Sequence, residues 1–182
     1  MTTPHRSLSR ELEGLWARWR LRRCQRIGAA PTVLGRVWIH GDGQVQLGDR
    51  VVLDGRLAPI ELHAMAADSL IVLGDDVAVE GGASLEALQS IRVGPGARLG
   101  AFCKVMDNQH HPLRGNRHER PPSVPLVIEA GVTVGSRAIL LPGTQLQKGC
   151  SVAPGTVISR RIPAGVTVGG APARVLRREV AG

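Results

Sequence analysis

Large rings are nearly absent from this chain of 182 residues, which has no tyrosine, a single phenylalanine (Phe102) and three tryptophans (Trp16, Trp19 and Trp38). A core built on packed aromatics is thereby excluded, and whatever fills the interior is aliphatic and small. Lysine is confined to Lys104 and Lys148. No recognition-helix arrangement, zinc module or aromatic stacking surface is visible, so no nucleic-acid partner is expected. No run of about 18 apolar residues offers a membrane span. Residues 1–26 lack the apolar segment of a signal peptide. Cys24, Cys103 and Cys150 are too few and too scattered for a stapled secreted domain and fit a reducing compartment. The expected location is cytoplasmic.

The length points to one domain, and the charge is unevenly spread. Of a formal +8, residues 1–26 carry +5, with seven arginines against Glu11 and Glu13. Such an excess suits nucleic acid, anionic lipid or a phosphorylated cosubstrate, and charge alone does not choose among them.

What the chain does have is a repeat of six. Aliphatic residues recur at Leu73, Val79, Leu85 and Ile91, again at Val93, Leu99 and Val105, and then through Ile128, Val134, Leu140, Leu146, Val152 and Ile158. A weaker version runs through Ile27, Val33, Ile39 and Val45 and shifts register at Leu47 and Leu53. Neither a helix nor simple strand alternation explains a period of six. A short extended stretch followed by a corner does, with the anchor pointing inward. Three such hexads close a triangular coil of about 18 residues, and coils stack about 4.8 Å apart through parallel hydrogen bonds. A ring at an anchor would collide with the same position one coil away, which accounts for the missing aromatics. The expected fold is all-β, a parallel β-helix over residues 27–170.

Three segments depart from the repeat. Residues 106–126 are polar and rich in proline and histidine between good hexads, and predict a loop ejected from one corner. In residues 1–26, Ser7 can cap an amphipathic helix whose stripe of Leu8, Leu12, Leu15 and Trp19 covers the open end of the stack. The same basic helix also reads as a peripheral membrane contact. At 171–182, a short basic C-terminal helix is expected to close the last coil.

Chemistry concentrates in the loop. Asp107, His110 and His111 bring a proton acceptor for neutral pH together with a carboxylate able to fix its tautomer, a pair suited to activating a hydroxyl or amine. His110, His111 and His118 with Asp107 lack any recognised ligand spacing, so no required metal is expected. Cys103 and Cys150 fall at inward positions and read as small core residues. His40 and His63 show no comparable partner pattern.

The segments Val105-Met106-Asp107-Asn108-Gln109-His110-His111-Pro112-Leu113, Val134-Gly135-Ser136-Arg137-Ala138-Ile139-Leu140-Leu141-Pro142-Gly143 and Gly169-Gly170-Ala171-Pro172-Ala173-Arg174-Val175-Leu176 resemble those of the hexapeptide-repeat acyltransferases. These are left-handed parallel β-helix enzymes that include sugar and polysaccharide O-acetyltransferases. The resemblance covers roughly residues 45–178 and supplies the left hand, which the usual crossover rule would have reversed. It implies a homotrimer with sites between subunits, and acetyl-CoA (acyl-CoA) as cosubstrate. It implies His111 as the catalytic base, with Asp107 as its acidic neighbour; His110 departs from the family's usual aromatic or polar residue there and either contacts the acceptor or shapes the loop. It further implies coenzyme A contacts at Gly135, Ser136, Pro154, Ser159, Arg160 and Arg174, with Arg161 and Arg177 in reserve. The expected activity is O-acetyl transfer to a hydroxyl of a sugar or glycoconjugate precursor. The alternatives are N-acyl transfer to an amino sugar or amino acid, and a noncatalytic β-helix docking protein.

Overall fold

The structure, a computed structural model, describes residues 16–109 and 122–178. Its strands follow the coils in chain order. The first coil holds β1 (Arg26–Ile27) and β2 (Thr32–His40), and the second holds β3 (Gln44–Leu47) and β4 (Val52–Ala64). The third holds β5 (Leu70–Leu73), β6 (Ala78–Glu80) and β7 (Ser84–Ala87), and the fourth β8 (Ser90–Val93), β9 (Arg98–Leu99) and β10 (Lys104–Met106). The fifth holds β11 (Leu126–Ile128), β12 (Thr133–Val134) and β13 (Ile139–Leu140), and the sixth β14 (Gln145–Leu146), β15 (Ser151–Val152) and β16 (Val157–Ile158). The seventh holds β17 (Arg161–Ile162) and β18 (Val166–Gly169), and β19 (Arg174–Arg178) follows it.

Each hexad anchor stacks on its counterpart one coil away. On the first face the column runs Ile27, Leu47, Leu73, Val93, Ile128, Leu146 and Ile162. On the second it runs Val33, Leu53, Val79, Leu99, Val134, Val152 and Val168. On the third it runs Ile39, Leu62, Leu85, Val105, Leu140 and Ile158. Every pairing is parallel except that of β18 with β19. The long strands β2 and β4 each turn a corner and so serve both the second and the third face, with a register shift between Gly35 and Val37. No tryptophan enters the core, since Trp16, Trp19 and Trp38 are all more than half exposed, and Phe102 sits on a corner. The aliphatic columns therefore leave no room for rings, as the hexads predict. Cys103 and Cys150 are fully buried among them.

Corners repeat as faithfully as faces. At the first corner, Asp49 Oδ1 accepts from the Ala29 N–H at 2.7 Å and Asp75 Oδ1 from the Asp49 N–H at 2.8 Å, tying successive turns together. At the second, Gly135 lies so close to the turn above it that a Cβ would stand 2.5 Å from the Pro154 nitrogen. Only glycine fits there.

The two ends close differently from expectation. Residues 16–20 are helical, and Ala17 and Leu21 are buried against the first coil, but Trp19 is 62% exposed and lies off the covering face. The rest of the predicted stripe, Leu8, Leu12 and Leu15, lies outside the described residues. The expected C-terminal helix is instead the strand β19, paired antiparallel to β18 as Val166 with Arg178 and Gly169 with Arg174. The last coil leaves a row of unpaired backbone groups on β18, and a returning strand satisfies them where a helix would not. Among the described residues no helix is long and apolar enough to cross a membrane.

Candidate active site

The loop leaves the stack between β10 and β11, at the third corner. Asp107, at its root, is fully buried, and its two carboxylate oxygens accept the N–H groups of Leu88 at 2.7 Å and Gln89 at 2.8 Å. The Asn108 amide donates to the Glu86 carbonyl at 3.1 Å, and the Val124 N–H closes the loop base on the Asp107 carbonyl at 2.8 Å. The corner of the third coil thus fixes where the loop departs and returns. His110 and His111 lie outside the described residues, as does His118.

Outward positions of the third face beside this root carry a polar ladder. His40 and His63 are in register on β2 and β4, with ring centroids 4.0 Å apart and planes 24° apart. Glu61 Oε1 lies 2.8 Å from His40 Nε2, and the Ser84 hydroxyl is within 3.0 Å of Glu61 Oε2 and 2.9 Å of Glu86 Oε1. Lys104 Nζ stands 3.5 Å from Glu86. Burial raises the Glu61 pKa, but the hydrogen bonds from His40 and Ser84 outweigh it and hold the carboxyl below its ordinary value. His40 and His63 therefore have the partners that the sequence did not reveal. The signal lay in the anchors: aligning Ile39 with Leu62 sets His40 opposite His63 and puts Glu61 on the same face.

Near the C-terminal end a cleft of about 570 Å³ is lined by Val157, Ser159, Arg160, Pro172, Arg174 and Val175, among others. It brings three of the expected coenzyme A contacts together, Ser159, Arg160 and Arg174. One guanidinium nitrogen of Arg160 donates to the Ala173 carbonyl at 2.7 Å, so this arginine also holds the turn that roofs the cleft. Gly135, Ser136 and Pro154 are not in that cleft. Gly135 and Ser136 lie side by side at the second corner with Pro154 one coil on, where the Gly155 N–H donates to the Ser136 carbonyl at 2.9 Å. From Pro154 to Ser159 the chain crosses the third face in five residues, about 16 Å if fully extended. The six predicted contacts thus flank that face on both sides. Arg161, on β17, belongs to the first face.

None of the cysteines is activated. Burial pushes the thiols of Cys24 and Cys103 up to about 12 and that of Cys150 to about 11. A thiolate nucleophile is accordingly not part of the site.

No family model matches the chain. Over 60 residues it is 38% identical to the 2,3,4,5-tetrahydropyridine-2,6-dicarboxylate N-acetyltransferase of Staphylococcus aureus, covering 33% of this chain and 25% of that protein. The chain thus matches only about a quarter of the length of such curated relatives. Among solved structures it is similar to AntD, an N-acyltransferase from Bacillus cereus in complex with dTDP and 3-hydroxybutyryl-CoA. The TM-score is 0.73 at 14% identity, over 88% of this chain and 87% of that one. It is also similar to a maltose O-acetyltransferase from Clostridium difficile, with a TM-score of 0.59 at 15% identity over 89% and 73% of the two chains. Its unbroken columns of hexad anchors and its likeness to these structures show that the chain has the parallel β-helix fold that these acyltransferases share.

Proposed function

We propose that the protein is an acyl-CoA-dependent acyltransferase that moves an acetyl group onto a carbohydrate acceptor, with a hydroxyl of a sugar or glycoconjugate precursor as the leading acceptor. The observation that carries this reading is the arrangement along the third face. An arginine-bearing cleft lies at its upper end, and a rigidly rooted loop bearing His110 and His111 emerges lower on the same corner. Asp107 and Ser159 occupy that corner two coils apart, about 10 Å along the stack.

The cleft suits coenzyme A. Val157, Pro172 and Val175 offer an apolar wall, and the guanidinium groups of Arg160 and Arg174 offer charged donors for phosphate oxygens. When bound, the acyl thioester supplies the electrophilic carbonyl. In this reading His111 accepts the acceptor's proton as its oxygen attacks, an N–H of the coil stabilises the oxyanion, and breaking of the C–S bond releases the coenzyme A thiolate, which takes the proton back from His111. Asp107 acts as a positioning residue, because its carboxylate fixes the loop root through Leu88 and Gln89. His110 flanks the acceptor. A homotrimer would complete each site with a neighbouring loop.

Amine acceptors form a second reading, which a specific observation favours. Glu61 and Glu86 both lie within hydrogen-bond distance of the Ser84 hydroxyl, whose one proton serves only one of them at a time, and such a pair of carboxylates beside the loop root suits an ammonium group. The N-acyltransferase names of AntD and of the Staphylococcus aureus relative point the same way. Thiol release from acetyl-CoA across sugars, amino sugars and amino acids tests both readings. Activity on sugar hydroxyls is the expected outcome, activity confined to amines assigns N-transfer, and no release with any acceptor refutes acyl transfer. His111→Ala is expected to lower turnover about a hundredfold or more with the fold intact. Equal turnover would refute the assignment of the base.

A further inference from the structure

The lower coils of the third face hold a cluster of two imidazoles and a carboxylate, to whose histidines the proposed acyl transfer gives no role. His40 and His63 occupy in-register positions on parallel strands, which sets their backbones about one strand spacing apart. Glu61 precedes His63 by two residues and therefore projects from the same side of β4. The candidate ligand atoms of the three side chains lie within 4.8 Å of one another. The side chains of His40 and Glu61 are 40% and 34% exposed, so the cluster opens to solvent on one side and is held by the sheet on the other.

We propose that His40, Glu61 and His63 form a binding site for a divalent transition metal of the zinc class. Two imidazoles and one carboxylate are ligands for borderline ions, whereas magnesium and calcium prefer oxygen alone. Bonds of about 2.0–2.2 Å require the ligand atoms to close to roughly 3.5 Å. Side-chain rotation on the fixed strands achieves that closure, displacing the direct His40–Glu61 hydrogen bond. Ser84 supplies the outer support such sites need, because its hydroxyl holds Glu61 Oε2 at 3.0 Å and leaves Oε1 on the histidine side.

Three protein ligands leave at least one coordination position open, as in sites that exchange a ligand rather than sites that only staple a fold. His40 and Glu61 also line a groove of about 520 Å³, together with Arg20, Arg22, Arg23 and Trp38, among others. The arginines oppose the cation, so the expected affinity is about micromolar, well short of a closed structural site. They favour an anion in the open position.

The test uses the full-length chain without an affinity tag, stripped by chelator and titrated with Zn²⁺ by calorimetry and with Co²⁺ by visible absorption. One ion per chain is expected. His40→Ala and His63→Ala should each weaken binding about a hundredfold, and Ser84→Ala about tenfold, the scale of a lost supporting contact. Circular dichroism of the variants should match the parent, since these side chains lie outside the core. Absence of saturable binding overturns the site, and so does undiminished binding in the His40→Ala/His63→Ala double variant.

Discussion

Asp107→Ala offers the sharpest test of how the loop is held. The carboxylate is fully buried and receives two backbone donors, Leu88 N–H at 2.7 Å and Gln89 N–H at 2.8 Å. Removing it leaves both N–H groups without that acceptor inside the corner of the third coil. Each unsatisfied group costs about 1–3 kcal/mol, and water entering the vacated space recovers part of that, so a net loss of about 3 kcal/mol is expected. Asp107→Asn keeps one oxygen but turns an NH₂ toward the second donor, and should fall between the two. Urea unfolding followed by circular dichroism reads the stability, and hydrogen exchange at the Leu88 and Gln89 amides reads the site directly. Those two amides should lose protection while Val79 and Leu85, deep in the columns, keep theirs. If Asp107→Ala unfolds like the parent, or exchange at Leu88 and Gln89 is unchanged, the carboxylate does not anchor the loop.

Other consequences follow from the same geometry. Leu99→Phe puts a ring into a column between Val79 and Val134, one coil above and below, and should cost about 1–3 kcal/mol or prevent folding; a thermal melt equal to the parent's would refute the close stacking. Native protein should react slowly with a thiol reagent at pH 8 and release all three thiols when unfolded, and rapid labelling of native Cys103 would contradict its burial. Because burial raises the cysteine pKa values above the free thiol's roughly 8.5, their contribution to stability is complete below that pH. It is lost as pH rises toward about 12, so a Cys103→Ala variant should show a flatter alkaline limb in its melting curve. Arg174→Ala should raise the KM for acetyl-CoA about tenfold with little change in kcat, reflecting one lost charged contact; an unchanged KM would remove Arg174 from the coenzyme site. Ending the chain before Arg174 strips β19 from β18 and should produce aggregation detectable by light scattering; a monodisperse truncated chain would show that the edge needs no cover.

The sequence by itself determined the columns, because a six-residue period of Leu, Ile and Val with permissive corners admits one arrangement in which every anchor is buried. It also marked the loop, since proline and histidine at 106–126 cannot continue a hexad, and it marked Cys103 and Cys150 as core. Three matters were left to the tertiary structure. Residues 174–178 became a strand because β18 ended with open hydrogen-bonding groups, a demand invisible in the segment's own composition. Asp107 became an anchor because the corner of the third coil presents two N–H groups to it from 18 and 19 residues earlier. His40, Glu61 and His63 met because β2 and β4 each bend across two faces, and the offset between Gly35 and Val37 sets their register. Period fixes which side chains point inward. Which outward side chains become neighbours depends on how many residues each corner consumes, and that is decided only when the coils close.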